Sequence, residues 1–283
     1  MSDRGTRATD APYGGVAAKA VVSGPVTLRA SLVLAPNASP MTLDGTNTWV
    51  LAEPGARQAV VVDPGPLDEG HLAAIVARAD ELGARVAAIL LTHGHEDHAE
   101  SARRFAELVG APVRALDPAL RLGSEGLSDG DVVDVDGLEI RVIGTPGHSG
   151  DSLSFLVTND RAVLTGDTVL GRGTTVVMHP EGKLRDYLDS LGRLRHMVDD
   201  ATIERVLPGH GPVRDDPAAV LDFYLAHRAA RLAQVEDAVA AGDRTAAQIV
   251  RRVYADVDRA LWPAAELSVQ AQLDYLDEAK PAG

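Results

Sequence analysis

Thr92-His93-Gly94-His95-Glu96-Asp97-His98 follows directly on the apolar run 86–91 and places three histidines and one aspartate within six residues. Imidazole and carboxylate are the side chains that borderline metals such as zinc prefer. The apolar run reads as a buried strand. Alternate residues on the extended segment or tight turn after it can aim His93 and His95 at one ion. Asp97 and His98, opening the next helix, can face a second. A solvated polar loop has no need of one ligand chemistry at this density.

Working outward, three more candidates end apolar, strand-like segments. Thr145-Pro146-Gly147-His148 follows 140–143, Thr165-Gly166-Asp167 follows 162–164, and Leu207-Pro208-Gly209-His210 follows 205–206. Strand ends are rigid mounts, and the neighbouring Gly and Pro set tight turns that leave the ligand at a sheet edge. One histidine after a strand is ordinarily a loop or core residue. Four such sites between positions 93 and 210 point to a single metal-binding edge.

The rest of the pattern is α/β. Strands are expected over 26–34, 46–51, 59–62, 86–91, 132–135, 138–143, 153–157, 162–164 and 205–207, with Asp136-Gly137 as a hairpin turn. Helical spacing marks 67–83, 99–109 and 184–197. Residues 1–25 are small, polar and without a period, and read as a mobile arm. After Pro217 the chain reads as three helices, 218–241, 245–255 and 263–278. The expected division is therefore an arm at 1–25, a catalytic domain at 26–216 and a helical domain at 217–283.

Composition narrows the classes. With 283 residues and 45% hydrophobic content the chain supplies a core, filled by aliphatics because aromatics are only 4%. A net charge of −14 disfavours broad contact with polyanions. Zero cysteines exclude disulfides and thiolate ligands, so every metal ligand must be His, Asp or Glu. Neither a signal-like leader nor an apolar run of membrane-spanning length is evident, which makes the cytoplasm the expected compartment. Only three lysines occur (Lys19, Lys183, Lys280), beside abundant Arg, Ala, Gly and Val, as in high-GC bacterial coding.

His93-x-His95-x-Asp97-His98, His148, Asp167 and His210, with Asp63 in Val62-Asp63-Pro64-Gly65, resemble the five-motif pattern of the metallo-β-lactamase superfamily over roughly 26–215. The resemblance implies an αββα sandwich with its metal site at one edge of two sheets. It implies two divalent ions, zinc first, with iron or manganese as alternatives. His93, His95 and His148 would hold the first, Asp97, His98 and His210 the second, and Asp167 would bridge. Asp63 would orient a ligand histidine or the motif loop without ligating. Lactamases that use cysteine place it where Asp167 stands. A bridging carboxylate instead resembles the glyoxalase II, lactonase and ribonuclease branches, where two metals share a water, giving hydroxide near neutral pH. Asp97 would hydrogen-bond that water and shuttle a proton.

A finer resemblance, to the β-lactamase-like protein 2 branch, rests on Gly45-Thr46-Asn47-Thr48-Trp49, Gly171-x-Gly173-Thr174-Thr175, His227-Arg228 and the helical tail around Thr245–Val250. That branch carries a winged-helix-like C-terminal domain. It includes a mitochondrial endoribonuclease, and fungal polyketide thioesterases share much of its architecture. Thr174 and Thr175 are candidate substrate contacts, equally readable as turn hydroxyls; His227 reads as a packing residue, and His71, His179 and His196 as structural or surface residues.

Residues 218–283 hold seven Lys or Arg and ten Asp or Glu, a net of −3, which suits a nucleic-acid reader poorly. Arg172, Lys183, Arg185, Arg193 and Arg195 fall near the expected cleft but interleave with Glu181, Asp186 and Asp189. The expectation is an ester or thioester hydrolase for a small or carrier-bound substrate, with no membrane partner and the tail covering the site edge or supporting a homodimer. Single-stranded RNA cleavage is the runner-up. A mononuclear iron sulfur dioxygenase and a non-catalytic winged-helix regulator are rivals from other classes.

Overall fold

A computed structural model of the chain describes residues 21–123 and 125–278; nearly all of the arm expected at 1–25 lies outside them. The first sheet runs in the order β1 (Gly24–Pro25), β2 (Ala30–Leu34), β3 (Asn47–Leu51), β4 (Gln58–Val62), β5 (Arg85–Leu90) and β6 (Val113–Arg114). The second holds β7 (Val132–Val135), β8 (Leu138–Gly144), β9 (Leu153–Val157), β10 (Ala162–Gly166) and β11 (Arg205–Pro208), ordered β11-β10-β9-β8-β7. Helices α1 (Glu69–Glu81), α2 (Glu96–Ala99) and α3 (Ala102–Val109) precede the second sheet; α4 (Leu184–Asp199), α5 (Pro217–Ala240), α6 (Ala246–Val253) and α7 (Trp262–Glu278) follow its first four strands.

The period-two alternation of the strands explains the layers. Val60 and Val62 of β4 face a core between the sheets with Trp49, Leu51, Ile140, Phe155 and Leu164. Ala59 and Val61 face the other way, onto Leu72 and Ile75 of α1 and Phe105 of α3. On the far side Leu156 and Val163 pack with Tyr187 and Leu191 of α4 and Val220 and Tyr224 of α5. Both faces of the central strands are thus covered, which is why they read as continuous apolar runs. The result is an αββα sandwich.

Helix α5 links this sandwich to the tail. Its first half belongs to the sandwich core, while Val235 and Ala238 join Ile249, Val250 and Val269 in a fourth cluster. Residues 217–278 form helices and no strand among the described residues. No described helix is long and apolar enough to cross a membrane.

Two local expectations are corrected. The strand expected over 26–34 is a short hairpin, because Val26 and Thr27 N–H groups turn back to the Ala30 carbonyl. The helix expected over 99–109 is two helices, because Ser101 N–H leaves the helical pattern to reach the Gly65 carbonyl at 3.1 Å. Asp136-Gly137 does turn the β7–β8 hairpin, with φ of 51° and 87°, as a type I′ turn requires.

Candidate metal centre

The ends of β4, β5, β8, β10 and β11 meet at one edge of the sandwich and carry every sequence-predicted ligand. His93, His98, His148 and His210 are buried. Three groupings have ligand atoms mutually within 4.8 Å: His93, His95 and His148; His93, His98 and Asp167; and Asp97, His98 and His210. Asp167 sits between them. Its Oδ1 is 3.3 Å from Nε2 of both His98 and His210, and its Oδ2 is 3.8 Å from Nε2 of His148. Asp97 Oδ2 lies 3.1 Å from His210 Nε2.

The hydrogen bonds behind the imidazoles decide which nitrogen faces the centre. His98 Nδ1 donates to Asp63 Oδ2 at 2.9 Å, His148 Nδ1 to the Val176 carbonyl at 2.7 Å, and His210 Nδ1 to the Gly45 carbonyl at 3.1 Å. Thr92 Oγ1 donates to Asp63 Oδ2 at 2.6 Å, so it accepts from His93 Nδ1 at 3.0 Å. Each of these four rings therefore turns Nε2 toward the centre, as a lone pair on neutral His93 and His148 and as one that His98 and His210 expose on losing a proton. His95 is the exception, turning Nδ1 toward His148 Nε2 at 2.9 Å. Asp63 also accepts from Thr92 N–H at 2.8 Å, so it braces the motif loop and one ring together.

Backbone geometry serves the same convergence. Asp63 has φ of 52°, a left-handed conformation that Asp tolerates better than most residues. Gly209 is required by space: a Cβ there would lie 2.8 Å from both Asp167 Oδ1 and His98 Cε1. The Gly45–Trp49 segment clamps the His210 loop, with Asn47 Nδ2 donating to the Pro208 and Gly211 carbonyls, both at 2.9 Å.

Charge is distributed unevenly. Burial opposes protonation of His98 and His210, but Asp97 and Asp167 foremost around the first, and Asp167 foremost around the second, outweigh it; His98 is held well above its ordinary value and His210 at about 9. Burial pushes His148 down to about 4, and pushes His93 well down with help from neighbouring histidines. Burial would raise Asp167, yet His210 and His98 hold it well below the usual carboxylate range. His93 Nε2, His95 Nε2 and Asp167 Oδ1 are buried without any hydrogen-bond partner. Buried polar atoms in proteins are nearly always partnered. Such orphans, set on the ends of β5 and β10, fit a divalent cation.

A model of the metallo-beta-lactamase superfamily matches residues 41–210. The chain belongs to this superfamily. A model of the beta-lactamase associated winged helix domain matches 245–279, within the helical tail. The chain is 31% identical to a beta-lactamase-like protein 2 homolog of Caenorhabditis elegans over 252 residues, 86% of this chain and 82% of the relative. It is 32% identical to an atrochrysone carboxyl ACP thioesterase of Aspergillus chevalieri over 247 residues, 82% of this chain and 75% of the relative. A beta-lactamase domain protein from Burkholderia ambifaria shares the fold with a TM-score of 0.75 at 25% identity, over 95% of this chain and 92% of that one. Divalent metal binding goes with this superfamily's fold, and the donor set fits it.

Beyond the ligands, a cavity of about 280 Å³ lies between sandwich and tail, walled on one side by His148 and Asp167. Thr174 and Thr175 line it; Thr175 Oγ1 is also 3.2 Å from His148 Nδ1. His227 lines it from α5, and burial lowers its pKa to about 3. Of the sequence-noted cations only Arg172 reaches this cavity. Arg185, Arg193 and Arg195 are paired with Glu278, Asp129 and Asp222 elsewhere. His71 is buried against Thr48 and His179 faces Asp274, both apart from the ligand cluster. Sequence reading gave no role to Arg231 and quoted Arg228 only within a likeness. The available signal was their place in the buried stripe Val220, Leu221, Tyr224, Arg228, Arg231, Val235 of α5. A second, open cleft on the His95 side is lined by Glu96, Asp117, Asp151 and Glu181.

Proposed function

We propose that this chain is a dinuclear zinc hydrolase that cleaves an ester or thioester of a small or carrier-bound acyl substrate. The observation that carries the reading is the cavity beside His148 and Asp167. Its volume sits near the lower end of the range for small-molecule sites, and Leu43, Leu170 and Val176 make much of its wall apolar. An acyl group held there has its carbonyl at the ligand cluster. The named thioesterase among the relatives supports the same chemistry.

His93, His95 and His148 would hold one ion, Asp97, His98 and His210 the other, with Asp167 between them. Divalent ions so held supply Lewis acidity and lower the pKa of water. The protein contributes orientation: the Nδ1 bonds to Asp63, Val176 and Gly45 keep the rings from turning. Asp97 is the most open of the acidic groups here, its side chain 30% exposed against 13% for Asp167. It can therefore exchange a proton with solvent, which suits a general base.

Single-stranded RNA fits less well. The open cleft presents four carboxylates, which repel a phosphate backbone. A mononuclear iron centre on His93, His148 and Asp167 would leave Asp97 and His210 converging on nothing.

The test is turnover of a panel of acyl thioesters, esters and single-stranded RNA by zinc-loaded protein, with metal analysis. Asp97→Asn and His148→Ala should each lose about 100-fold or more in kcat/KM while keeping the wild-type circular dichroism. Undiminished turnover in both variants would refute the assignment, and RNA cleavage without thioester cleavage would replace it with the nuclease reading.

A further inference from the structure

Helix α5 buries a stripe in which two core positions are arginine. Arg228 is 4% exposed and Arg231 8%. Buried guanidinium groups are ordinarily matched by a carboxylate, because an unpaired charge in a dry interior is strongly unfavourable. Among the described residues every hydrogen-bond and ring partner of the two is neutral. Arg228 donates to the Thr175 carbonyl and stacks on the Tyr187 ring at 4.9 Å. Arg231 donates to Gln234 Oε1 and the Val253 carbonyl, both at 3.0 Å, and stacks on the Tyr254 ring at 4.5 Å. Nε of Arg228 is buried with no partner at all, as is Nδ1 of the adjacent His227.

All three side chains line the cavity that reaches His148 and Asp167. Arg172, paired with Asp44, adds a third guanidinium to its wall. The single carboxylate in that lining is Asp167, already committed to the ligand cluster. A chain with a net charge of −14 thus places three guanidinium groups on the wall of the cavity beside His148 and Asp167. The arrangement is short as well as charged: Thr175 touches Arg228 through its carbonyl and His148 through its hydroxyl.

We propose that Arg228 and Arg231, with His227, form an oxyanion-binding subsite that selects acyl substrates carrying a carboxylate or phosphate a few bonds beyond the scissile carbonyl. Guanidinium groups recognise both oxyanions through planar N–H pairs. This rests on the hydrolase reading above for its kinetic expression, though the binding of the anion does not.

The experiment compares three thioesters of one leaving thiol, N-acetylcysteamine: glutaryl, the glutaryl methyl ester, and 4-phosphonobutyryl. Zinc-loaded wild-type protein should favour an anionic member over the neutral one by about tenfold or more in kcat/KM. Whichever anion is favoured identifies the source. The ratio of anionic to neutral should collapse toward one in Arg231→Met and Arg228→Met, and recover in part in Arg231→Lys. Because the ratio is taken within one protein, a lower folded or metal-loaded fraction cancels. No preference in the wild type, or a preference that survives both methionine variants, overturns the subsite. Should none of these thioesters be hydrolysed, that outcome bears on the thioester reading and not on the subsite, which calorimetric titration then decides. Glutarate and inorganic phosphate would be titrated into wild type and Arg231→Met. Weakening of either by about tenfold or more in the variant upholds it, and equal binding of both overturns it.

Discussion

The Asp63 carboxylate accepts three hydrogen bonds: from Thr92 N–H at 2.8 Å, from Thr92 Oγ1 at 2.6 Å and from His98 Nδ1 at 2.9 Å. Asparagine at this position tolerates the same left-handed backbone, so Asp63→Asn isolates the side-chain chemistry. With its carbonyl kept on Thr92 N–H, its amide replaces Oδ2 and meets two donors instead of accepting from them. Hydrogen bonds to a charged group are each worth about 1.5–3 kcal/mol, so with two of them lost metal-free protein should lose about 3–6 kcal/mol of stability. His98 can regain a partner only by accepting at Nδ1. Its proton then sits on Nε2, the atom facing His210 Nε2 at 3.2 Å and Asp167 Oδ1 at 3.3 Å. A protonated Nε2 cannot ligate. Affinity for an ion on the Asp97–His98–His210 side should fall by about 10–100-fold, as for other supports of metal-bound histidines. Competition with a chromophoric chelator measures that affinity, urea denaturation in chelator measures the stability, and imidazole nitrogen NMR reports the tautomer. A variant that binds both ions as tightly as wild type, with the proton still on Nδ1, would show that Asp63 does not set the ring.

Gly209→Ala should weaken metal binding at least about tenfold and cost about 1–3 kcal/mol, since the new Cβ falls 2.8 Å from Asp167 Oδ1 and His98 Cε1. Wild-type metal affinity by the same competition would contradict this. The metal-free protein should have a two-sided stability profile. His210 rises in the fold from 6.5 to about 9, so its contribution is complete below about 6.5 and is lost as pH climbs through about 9. His148 falls from 6.5 to about 4, so its contribution is complete above 6.5 and is lost as pH drops toward 4. Denaturation in chelator from pH 4 to 10 checks both limbs, and a flat profile counts against the electrostatics. Metal uptake near pH 7 should release protons from His98 and His210; calorimetric heats that do not vary with buffer ionisation enthalpy would speak against it.

Much of the candidate centre is legible in the sequence because its candidate ligands come in tight local clusters. His93, His95, Asp97 and His98 are placed by one strand end and one helix start, and His148, Asp167 and His210 each follow an apolar segment with Gly or Pro beside them. Period and turn chemistry carry that information without tertiary help. The Gly45–Trp49 segment was quoted as a likeness, but its work could not be read. Asn47 acts on carbonyls more than 160 positions away, which local spacing does not report. The break between α2 and α3 was missed for the same reason, since Ser101 answers to Gly65.

The arginines of α5 show the sharper limit. By composition the tail is acidic, and a sum of charges says nothing about which of them is buried. Arg228 and Arg231 share a buried helix face with Val220, Tyr224 and Val235. Only packing decided that the core at that point is the wall of a cavity reaching His148 and Asp167. The sequence by itself determined the α/β pattern, the donor chemistry and the strand ends that carry it, because these follow from alternation, turns and residue type, while the layer order came with the family resemblance. The tertiary structure alone decided which imidazole nitrogen faces inward, which buried atoms lack partners and where unmatched charge meets the centre. Those depend on distances between segments far apart in the chain, which no local pattern encodes.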